Sequence, residues 1–368
     1  MIQLENGRII DNLDLENDYE SFEDLCLLSF GEGTNQDYKM NKWFYDENPY
    51  NPNGKNLMYT LKDEDKIIGT DGLTPFELYI NGDVYLAAHS VKSMTHPDFK
   101  RQGIFRMMTN NSVDQGEKNG VDIVIGLANK NSYPAYEKFG WPTLYEKEVY
   151  VRPIKIENKL RKKLKLGFIS KIGASVYNLY DKIRLSNKNL IKKLDVKVSK
   201  SDCVNPEIGE YWNMYKDNFN VCIVRDYKYL NYRYNMRPDV SYVTLEAKNS
   251  SGKIGYVILR ETHANGSKLI TIAESFTDPN NENFIGILAE MIINYSYSVD
   301  AEYVVVGTGL HGKFKSVFMK YSFLNTKKPL LNNMMIAKII NKNISLDEIK
   351  GHEKWHITQG DGETEIDI

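Results

Sequence analysis

The part of the sequence best suited to chemistry is a basic turn that contains a glycine and precedes a helical apolar pattern. It comprises Lys100, Arg101, Gln102, Gly103, Ile104, Phe105 and Arg106. The first turn of a helix exposes N–H groups that have no intrahelical acceptor, and it carries about half a positive charge. A glycine lets a ligand approach the backbone, and the basic side chains add formal charge. The turn therefore indicates a seat for a pyrophosphate, although a basic helix start without a ligand fits the same residues. The spaced glycines of a P-loop or a dinucleotide fingerprint are absent.

The segment from His96 to Phe105 resembles the acyl-coenzyme A loop of the GNAT superfamily of N-acetyltransferases. That loop has Arg or Gln, two residues, Gly, one residue, and Gly or Ala. The residues from Asn129 through Tyr136 to Trp141 resemble the second signature of the superfamily, in the expected order and separation. Two departures are Lys100, where Arg or Gln is usual, and Phe105, where Gly or Ala is usual. The Phe105 side chain must turn inward to leave room for a phosphate.

The resemblance implies an α/β fold with a mixed sheet, and an acyl-coenzyme A donor, most simply acetyl-coenzyme A, without a metal. It implies that pantetheine lies along the strand before the loop, at Ser93, Met94 and Thr95. It further implies that the backbone of residues 101–106 binds the pyrophosphate and that Asn129 touches the pantetheine arm. Tyr136 stands where the superfamily places the hydroxyl that protonates the departing thiolate. A packing or helix-capping tyrosine is the alternative for Tyr136.

An amine acceptor must be neutral before it can attack a thioester. A lysine-like amine has a pKa of about 10.4, so reaching the neutral form at pH 7 costs roughly 4–5 kcal/mol. A general base or a desolvating cleft must offset that cost. His89 is the first candidate base, because an unperturbed histidine titrates near neutral pH. His96, Glu77 and Asp98 are further candidates, and a structural role fits each of the four as well.

The two halves of the sequence share an order of turn, helical pattern, buried strand and second helical pattern. One constant offset pairs Pro97 with Pro279, Val124 with Val306 and Lys138 with Lys320. Self-similarity of this kind predicts two copies of one structural unit. In the second copy Ile285 replaces Gly103 and Phe318 replaces Tyr136. We therefore expect the second copy not to bind the cofactor, as in a tandem acetyltransferase with a degenerate second copy.

Strand patterns precede the helical pattern in both halves. Segments 57–61 and 66–70 flank one predicted hairpin, and segments 76–80 and 84–88 flank another at Asn81-Gly82, a dipeptide typical of such turns. Antiparallel strands followed by a strand–helix–strand crossover predict a mixed sheet with helices on its faces. The expected domains are a catalytic GNAT domain at 1–150, a basic helical linker at 151–200 and a second GNAT-like domain at 201–368.

Composition excludes several other classes of protein. Apolar residues make up 42% and charged residues 26% of the 368 residues, which is ordinary globular usage. The three cysteines have no metal-ligand spacing and indicate a cytoplasmic protein. The net charge of −2 does not favour nucleic acid as a partner. Residues 155–200 hold fourteen Lys or Arg and three acids. This segment fits a solvated linker better than a helix on an anionic membrane surface.

Three functions stay open on the sequence alone. The first is an acyl-coenzyme A-dependent N-acyltransferase for a small amine, for which an amino sugar or a sugar nucleotide is the guess. The second is an aminoacyl transferase of the peptidoglycan-bridge type, which takes its acyl group from transfer RNA. The third is a coenzyme A-binding module without catalysis. Arg225, Arg233 and the C-terminal stretch from Trp355 to Asp361 fit either an acceptor cleft or plain packing.

Overall fold

The computed structural model describes residues 1–31, 37–155, 179, 181, 183, 185, 188–264, 266–308, 312–326 and 334–362. The chain divides into two compact units. The first contains Met1–Glu146, Met236–Asp239 and Leu331–Gly351. The second contains Lys147–Asn235, Val240–Leu330 and His352–Ile368. Most of the basic helical linker predicted at 151–200, including 156–178, lies outside the described residues.

The strands in chain order are β1 (Ile2–Gln3), β2 (Ile9–Asn12), β3 (Leu57–Asp63), β4 (Lys66–Ile80), β5 (Asp83–Thr95), β6 (Ile123–Ala128), β7 (Thr143–Glu146), β8 (Glu148–Pro153), β9 (Lys197–Ser201), β10 (Val221–Ile223), β11 (Val243–Asn249), β12 (Gly252–Ala264), β13 (Ser267–Thr277), β14 (Tyr303–Thr308), β15 (Leu324–Asn325), β16 (Met334–Ile339) and β17 (Trp355–His356). The α-helices are Leu15–Phe30, Tyr38–Asn41, Ile104–Lys118, Tyr133–Lys138, Leu190–Lys193, Pro206–Tyr215, Tyr227–Leu230, Glu282–Ser298, Gly312–Lys320 and Leu346–Ile349.

The sheet of the first unit runs in the order β1-β2-β3-β4-β5-β6-β16-β7. Its neighbours are antiparallel except for β5 and β6, which are parallel. The helix Ile104–Lys118 forms the crossover between these two strands, and its buried side chains face the sheet. Ile104 and Met108 pack there with Leu61 and Val124 in one apolar cluster. This strand–helix–strand unit positions the predicted pyrophosphate turn at the end of β5.

A bulge interrupts the pairing of β4 with β5. The register shifts between Thr70 and Gly72, and Lys92 on the opposite strand has a positive φ of 49°. A bulge adds a residue to one strand and changes which face the following side chains occupy. Ser90 and Ser93 would lie on opposite faces of a regular strand. Because of the bulge, both reach the same tyrosine hydroxyl.

The second unit contains a seven-stranded sheet in the order β15-β8-β14-β13-β12-β11-β9. Its parallel pair is β13 and β14, and the helix Glu282–Ser298 lies between them in the chain. The mixed α/β fold with two mixed sheets is thus confirmed. The constant offset pairs Ile123 with Val305, yet β14 begins at Tyr303. The repeated pattern is therefore not gapless in the structure.

The first unit also corrects one detail of the strand prediction. Segments 66–70 and 76–80 belong to a single strand, β4, which runs from Lys66 to Ile80. It has 15 residues and β5 has 13, and the turn at Asn81 and Gly82 between them has positive φ at both residues. Backbone pairing with β5 along most of this length keeps β4 continuous through Gly72 and Pro75.

Candidate functional site

The basic turn is exposed and holds two residues in the left-handed region. Arg101 has φ 65° and Gly103 has φ 76°. A Cβ added at Gly103 would meet no atom within 4 Å, so the space in front of the turn is open. Left-handed residues in a turn direct successive N–H groups toward one side, which is the geometry of an anion-binding nest.

The backbone amides of the turn have no acceptor. Among the described residues, no atom accepts a hydrogen bond from the N–H groups of residues 101–106, and the first bonded amide is Met107 N–H to Gly103 O at 3.0 Å. The side chains of Lys100 and Arg101 are exposed beside these amides. The Arg106 guanidinium lies over the Phe139 ring, 5.7 Å from its centroid. Unbonded amides at a helix start beside exposed cations are the features that anion-binding sites share.

A gap between two parallel strands leads to this turn. β5 pairs with β6 only at Ala87, Ala88 and His89. The rest of β5, which carries the predicted residues Ser93, Met94 and Thr95, has no partner on β6. The gap starts near Gly126, where an added Cβ would lie 3.6 Å from Ser90 Cβ. A narrow chain with amide groups fits such a gap, because it would pair with the strand edge as another strand does.

The Tyr136 side chain ends at this gap. Its hydroxyl forms hydrogen bonds with Ser93 Oγ at 2.9 Å and Ser90 Oγ at 3.2 Å. Its ring packs edge-on against Phe105 and Trp141, with centroids 5.3 and 4.9 Å apart. Phe105 therefore faces inward, toward Tyr136, rather than outward across the turn. Only 5% of Tyr136 is exposed.

A buried carboxyl lies behind the serine. Ser93 Oγ donates a hydrogen bond to Asp71 Oδ1, and only 1% of Asp71 is exposed. Burial raises the pKa of Asp71 to about 7. Burial and then the charge of Asp71 raise the pKa of Tyr136 to about 12. The hydroxyl at the gap is thus linked through one serine to a carboxyl that titrates near neutral pH.

The sequence analysis missed Asp71. Its signal is present in the sequence, because Asp71 stands in the middle of the run from Ile67 to Phe76, which is buried throughout. Charged residues are rarely buried without a function or a partner. Its partner Ser93 was predicted only as a residue beside pantetheine.

The side chain of Asn129 folds back onto the turn that precedes the next helix. Its Oδ1 accepts hydrogen bonds from the backbone N–H groups of Asn131 and Ser132, at 2.9 and 3.1 Å. Those bonds hold the chain between β6 and the helix Tyr133–Lys138, which carries Tyr136. The predicted contact of Asn129 with pantetheine stays a prediction.

The candidate bases lie at different places. His89 is half-buried, and its ring stacks on Phe76 with centroids 4.4 Å apart. Because neighbouring residues of a strand face opposite sides, His89 and Ser90 lie on different faces of β5. The His96 ring is buried and its Nδ1 accepts a hydrogen bond from Asp98 N–H at 3.2 Å. His89 as the base therefore stays a prediction.

Arg225 and the C-terminal stretch meet inside the second unit. Arg225 Nε donates to Glu274 Oε2 at 3.0 Å, and its Nη2 donates to Asp361 Oδ2. All three side chains are fully buried. Burial raises the pKa of Glu274 to about 7, whereas Arg225 and Tyr229 outweigh burial at Asp361 and hold its pKa below the usual value. These residues pack against one another, and Arg233 holds the carbonyl of Gly360.

The counterparts of two site residues in the second unit are core residues. Ile285 is fully buried within the helix Glu282–Ser298, and Phe318 packs on Phe323 with centroids 4.8 Å apart.

No described helix has the length and apolarity needed to span a bilayer. Within the same described ranges, no three His, Cys, Asp or Glu side chains form a metal-ligand group.

Residues 12–144 match the family model of the acetyltransferase (GNAT) domain. This part of the chain, about a third of its length, is therefore similar to a GNAT acetyltransferase domain. The matched residues contain the basic turn, the strand gap and Tyr136, so the candidate site lies within the matched region. No curated protein matches the sequence.

Solved structures share the fold. A probable N-acyltransferase from Enterococcus faecalis V583 is 17% identical, with a TM-score of 0.62 over 91% of this chain and 73% of that chain. A GCN5-related N-acetyltransferase from Anabaena variabilis is 10% identical, with a TM-score of 0.60 over 90% and 72% of the two chains. Another from Kribbella flavida is 11% identical, with a TM-score of 0.61 over 91% and 71%. The fold of about nine-tenths of this chain is therefore shared with these structures.

Proposed function

We propose that this protein transfers an acyl group from a coenzyme A thioester, acetyl-coenzyme A in the simplest case, to a small amine. One observation carries the proposal. The unbonded amides of residues 101–106 lie at the start of a long helix, beside exposed basic side chains. A diphosphate satisfies such amides and gains from the positive end of the helix.

The strand gap completes the cofactor site. The pantetheine amides pair with the free edge of β5 at Ser93, Met94 and Thr95, and Asn129 lies at the far side of the gap. The acyl carbonyl then reaches the region of Tyr136. Phe105 does not obstruct this path, because its ring packs on Tyr136 and Phe139.

The reaction is a direct transfer. The amine nitrogen attacks the thioester carbonyl, and a proton of the amine passes to a base and then to water. The C–S bond breaks, its electron pair stays on sulfur, and the sulfur takes the phenolic proton of Tyr136. The phenolate regains a proton from water. His89 is the base that we propose, and an amino sugar, whose amine is less basic than lysine, is the acceptor class.

The second unit has a structural role in this proposal. The sequence offset pairs Gly103 with Ile285, which is buried inside the helix Glu282–Ser298, and Tyr136 with Phe318, which has no hydroxyl. We propose that the two units are copies of one fold, of which only the first binds the cofactor.

Gly103→Val is expected to weaken binding of coenzyme A at least about 10-fold. Valine does not adopt a φ near 76° without strain, so the turn must rearrange and its amides no longer converge. Titration calorimetry measures the Kd. Gly120→Val is the matched control, because Gly120 has φ 83° and open space but follows the far end of the same helix. Equal affinities of the two variants would contradict the pyrophosphate site.

Turnover is tested as thiol release from acetyl-coenzyme A with a panel of amines. We expect release that depends on the amine, and acetylated product in equal amount. Charged transfer RNA is the second donor tested. Acyl transfer from the RNA alone would replace the proposal with an aminoacyl transferase, and binding of coenzyme A without product would leave a binding module.

A further inference from the structure

Asp71 is linked by hydrogen bonds to Tyr136, the proposed acid. The hydroxyl groups of this link can donate either toward Asp71 or away from it. The oxygens follow one another as Asp71 Oδ1, Ser93 Oγ and Tyr136 Oη. A carboxylate only accepts hydrogen bonds, whereas a neutral carboxyl also donates one. The charge of Asp71 therefore limits the direction in which the hydroxyls between it and the strand gap point.

With Asp71 ionised, the Ser93 proton must point to the carboxylate. Ser93 Oγ then accepts from the hydroxyl of Tyr136, so the phenolic proton points into the protein. With Asp71 neutral, the carboxyl donates to Ser93, and Ser93 donates to the phenol oxygen. The phenolic proton then points to Ser90 Oγ, 3.2 Å away, or to the strand gap, and Ser93 stabilises the phenolate that forms when the proton leaves.

We propose that Asp71 is a positioning residue of the acyl transfer, which controls through Ser93 whether the hydroxyl of Tyr136 donates into the protein or toward the departing sulfur. The proposal rests on the acyl transfer proposed above. Asp71 does not touch the reacting atoms in this scheme. Its neutral form is the active one.

Among the three side chains of this hydrogen-bonded series, Asp71 is the one whose charge changes near neutral pH. Ser93 lies on β5, and the helix Ile104–Lys118 presents Ser112, whose Oγ donates to the main-chain carbonyl of Asp71 at 3.0 Å. Tyr59 lies opposite on β3. Burial raises the pKa values of Tyr59 and Tyr136, so both stay neutral at pH 7. No described Lys, Arg or His forms an ion pair with Asp71.

Nuclear magnetic resonance tests the hydrogen-bonded link from Asp71 to Tyr136 without an acyl acceptor. The full-length protein is labelled with ¹³C at the tyrosine Cζ, and the Tyr136 signal is assigned by its loss in Tyr136→Phe. We expect this signal to shift with a midpoint near pH 7, because the phenol changes from donor to acceptor toward Ser93. Asp71→Asn and Ser93→Ala are expected to remove the transition. A Tyr136 signal that does not change between pH 5 and 9, or that changes equally in Asp71→Asn, would overturn the inference.

The pH profile of turnover gives the second readout. The acceptor is an aromatic amine and the profile is recorded from pH 6 to 9, where this amine is neutral and adds no titration of its own. We expect the wild-type kcat to fall about 10-fold above pH 7, within the contribution of a general acid. Asp71→Asn, whose amide still donates to Ser93, is expected to lose this fall and to exceed the wild type at pH 9. Ser93→Ala is expected to be slow at every pH, and Ser93→Thr to restore the wild-type profile.

The two readouts separate this inference from the proposed function. Suppose that the Tyr136 signal depends on pH but the protein transfers no acyl group. The hydrogen-bonded link from Asp71 to Tyr136 would then stand, and the acyltransferase function would be refuted. Acyl transfer with the same pH profile in Asp71→Asn and the wild type would refute only the role of Asp71. Binding of coenzyme A by each variant shows that its fold is intact.

Discussion

Tyr136→Phe is expected to lower kcat by about 10²- to 10³-fold, because general acid catalysis by one side chain contributes on that scale. The hydroxyl of Tyr136 is the group at the strand gap that bonds to both Ser90 and Ser93. The ring contacts with Phe105 and Trp141 remain in the variant, so the cofactor site keeps its shape. The KM for acetyl-coenzyme A is expected to stay unchanged, since only an interaction of the transition state is lost. Steady-state thiol release at saturating amine measures both constants.

Tyr133→Phe is the matched control for this variant. Tyr133 is on the same helix, and its hydroxyl bonds to Glu137 and Thr143 at 2.8 and 2.9 Å, outside the gap. It loses the same atom in the same helix, so a general effect of removing a hydroxyl appears in both variants. We expect its kcat to match the wild type. A Tyr136→Phe variant as fast as Tyr133→Phe would show that solvent protonates the thiolate.

Local patterns were sufficient to predict the turn but not the site behind it. Gly103 and the basic residues around it are consecutive, so their arrangement at a helix start follows from neighbouring residues alone. Asp71, Ser93 and Tyr136 come from three elements and meet because of a bulge at Lys92. No period in the sequence marks that bulge. The buried aspartate in an apolar run was the available signal.

Strand partners are equally hidden from local patterns. β16 has an apolar pattern that fits any sheet, and it follows the second unit's helices in the chain. It pairs antiparallel with β6 and with β7 of the first sheet. The partners of a strand that is distant in the sequence depend on which neighbouring strands are left unpaired. Local residue patterns do not show which strands those are. The fold class was predictable because it depends on the order of elements rather than on their partners.

The same limit applies to Arg225 and the C-terminal stretch. From the sequence, Arg225 could either bind an acceptor or pack inside the protein. Both fitted because no local pattern relates Arg225 to Asp361. The structure joins them in a buried cluster with Glu274. A charge group of this kind is a sensitive point for stability.

Arg225→Met is expected to lower the free energy of unfolding by about 3–5 kcal/mol, because two buried carboxyl groups lose their cation. Urea denaturation, with the unfolding midpoint compared at fixed pH, measures the change. Lys320→Met is the control in the same unit. Its pair with Glu282 is more than half exposed on both sides, so we expect no measurable change in the unfolding midpoint. An Arg225→Met midpoint equal to that of Lys320→Met would show that the cluster contributes nothing measurable.

The pH dependence of the Arg225→Met penalty identifies its cause. Burial already raises the folded-state pKa of Glu274 to about 7, from an ordinary value of 4.5, so its protonated form favours the folded state. The stability from this group is complete below pH 4.5 and is lost as pH rises through 7. Without Arg225 the pKa of Glu274 rises further and the pKa of Asp361 loses the charge that lowers it, so the penalty must grow from pH 5 to pH 8. Combining Arg225→Met with Glu274→Leu and Asp361→Leu removes the charges together and is expected to restore most of the loss. If the triple variant is no more stable than Arg225→Met, the cost lies in packing of the C-terminal stretch rather than in unpaired charge.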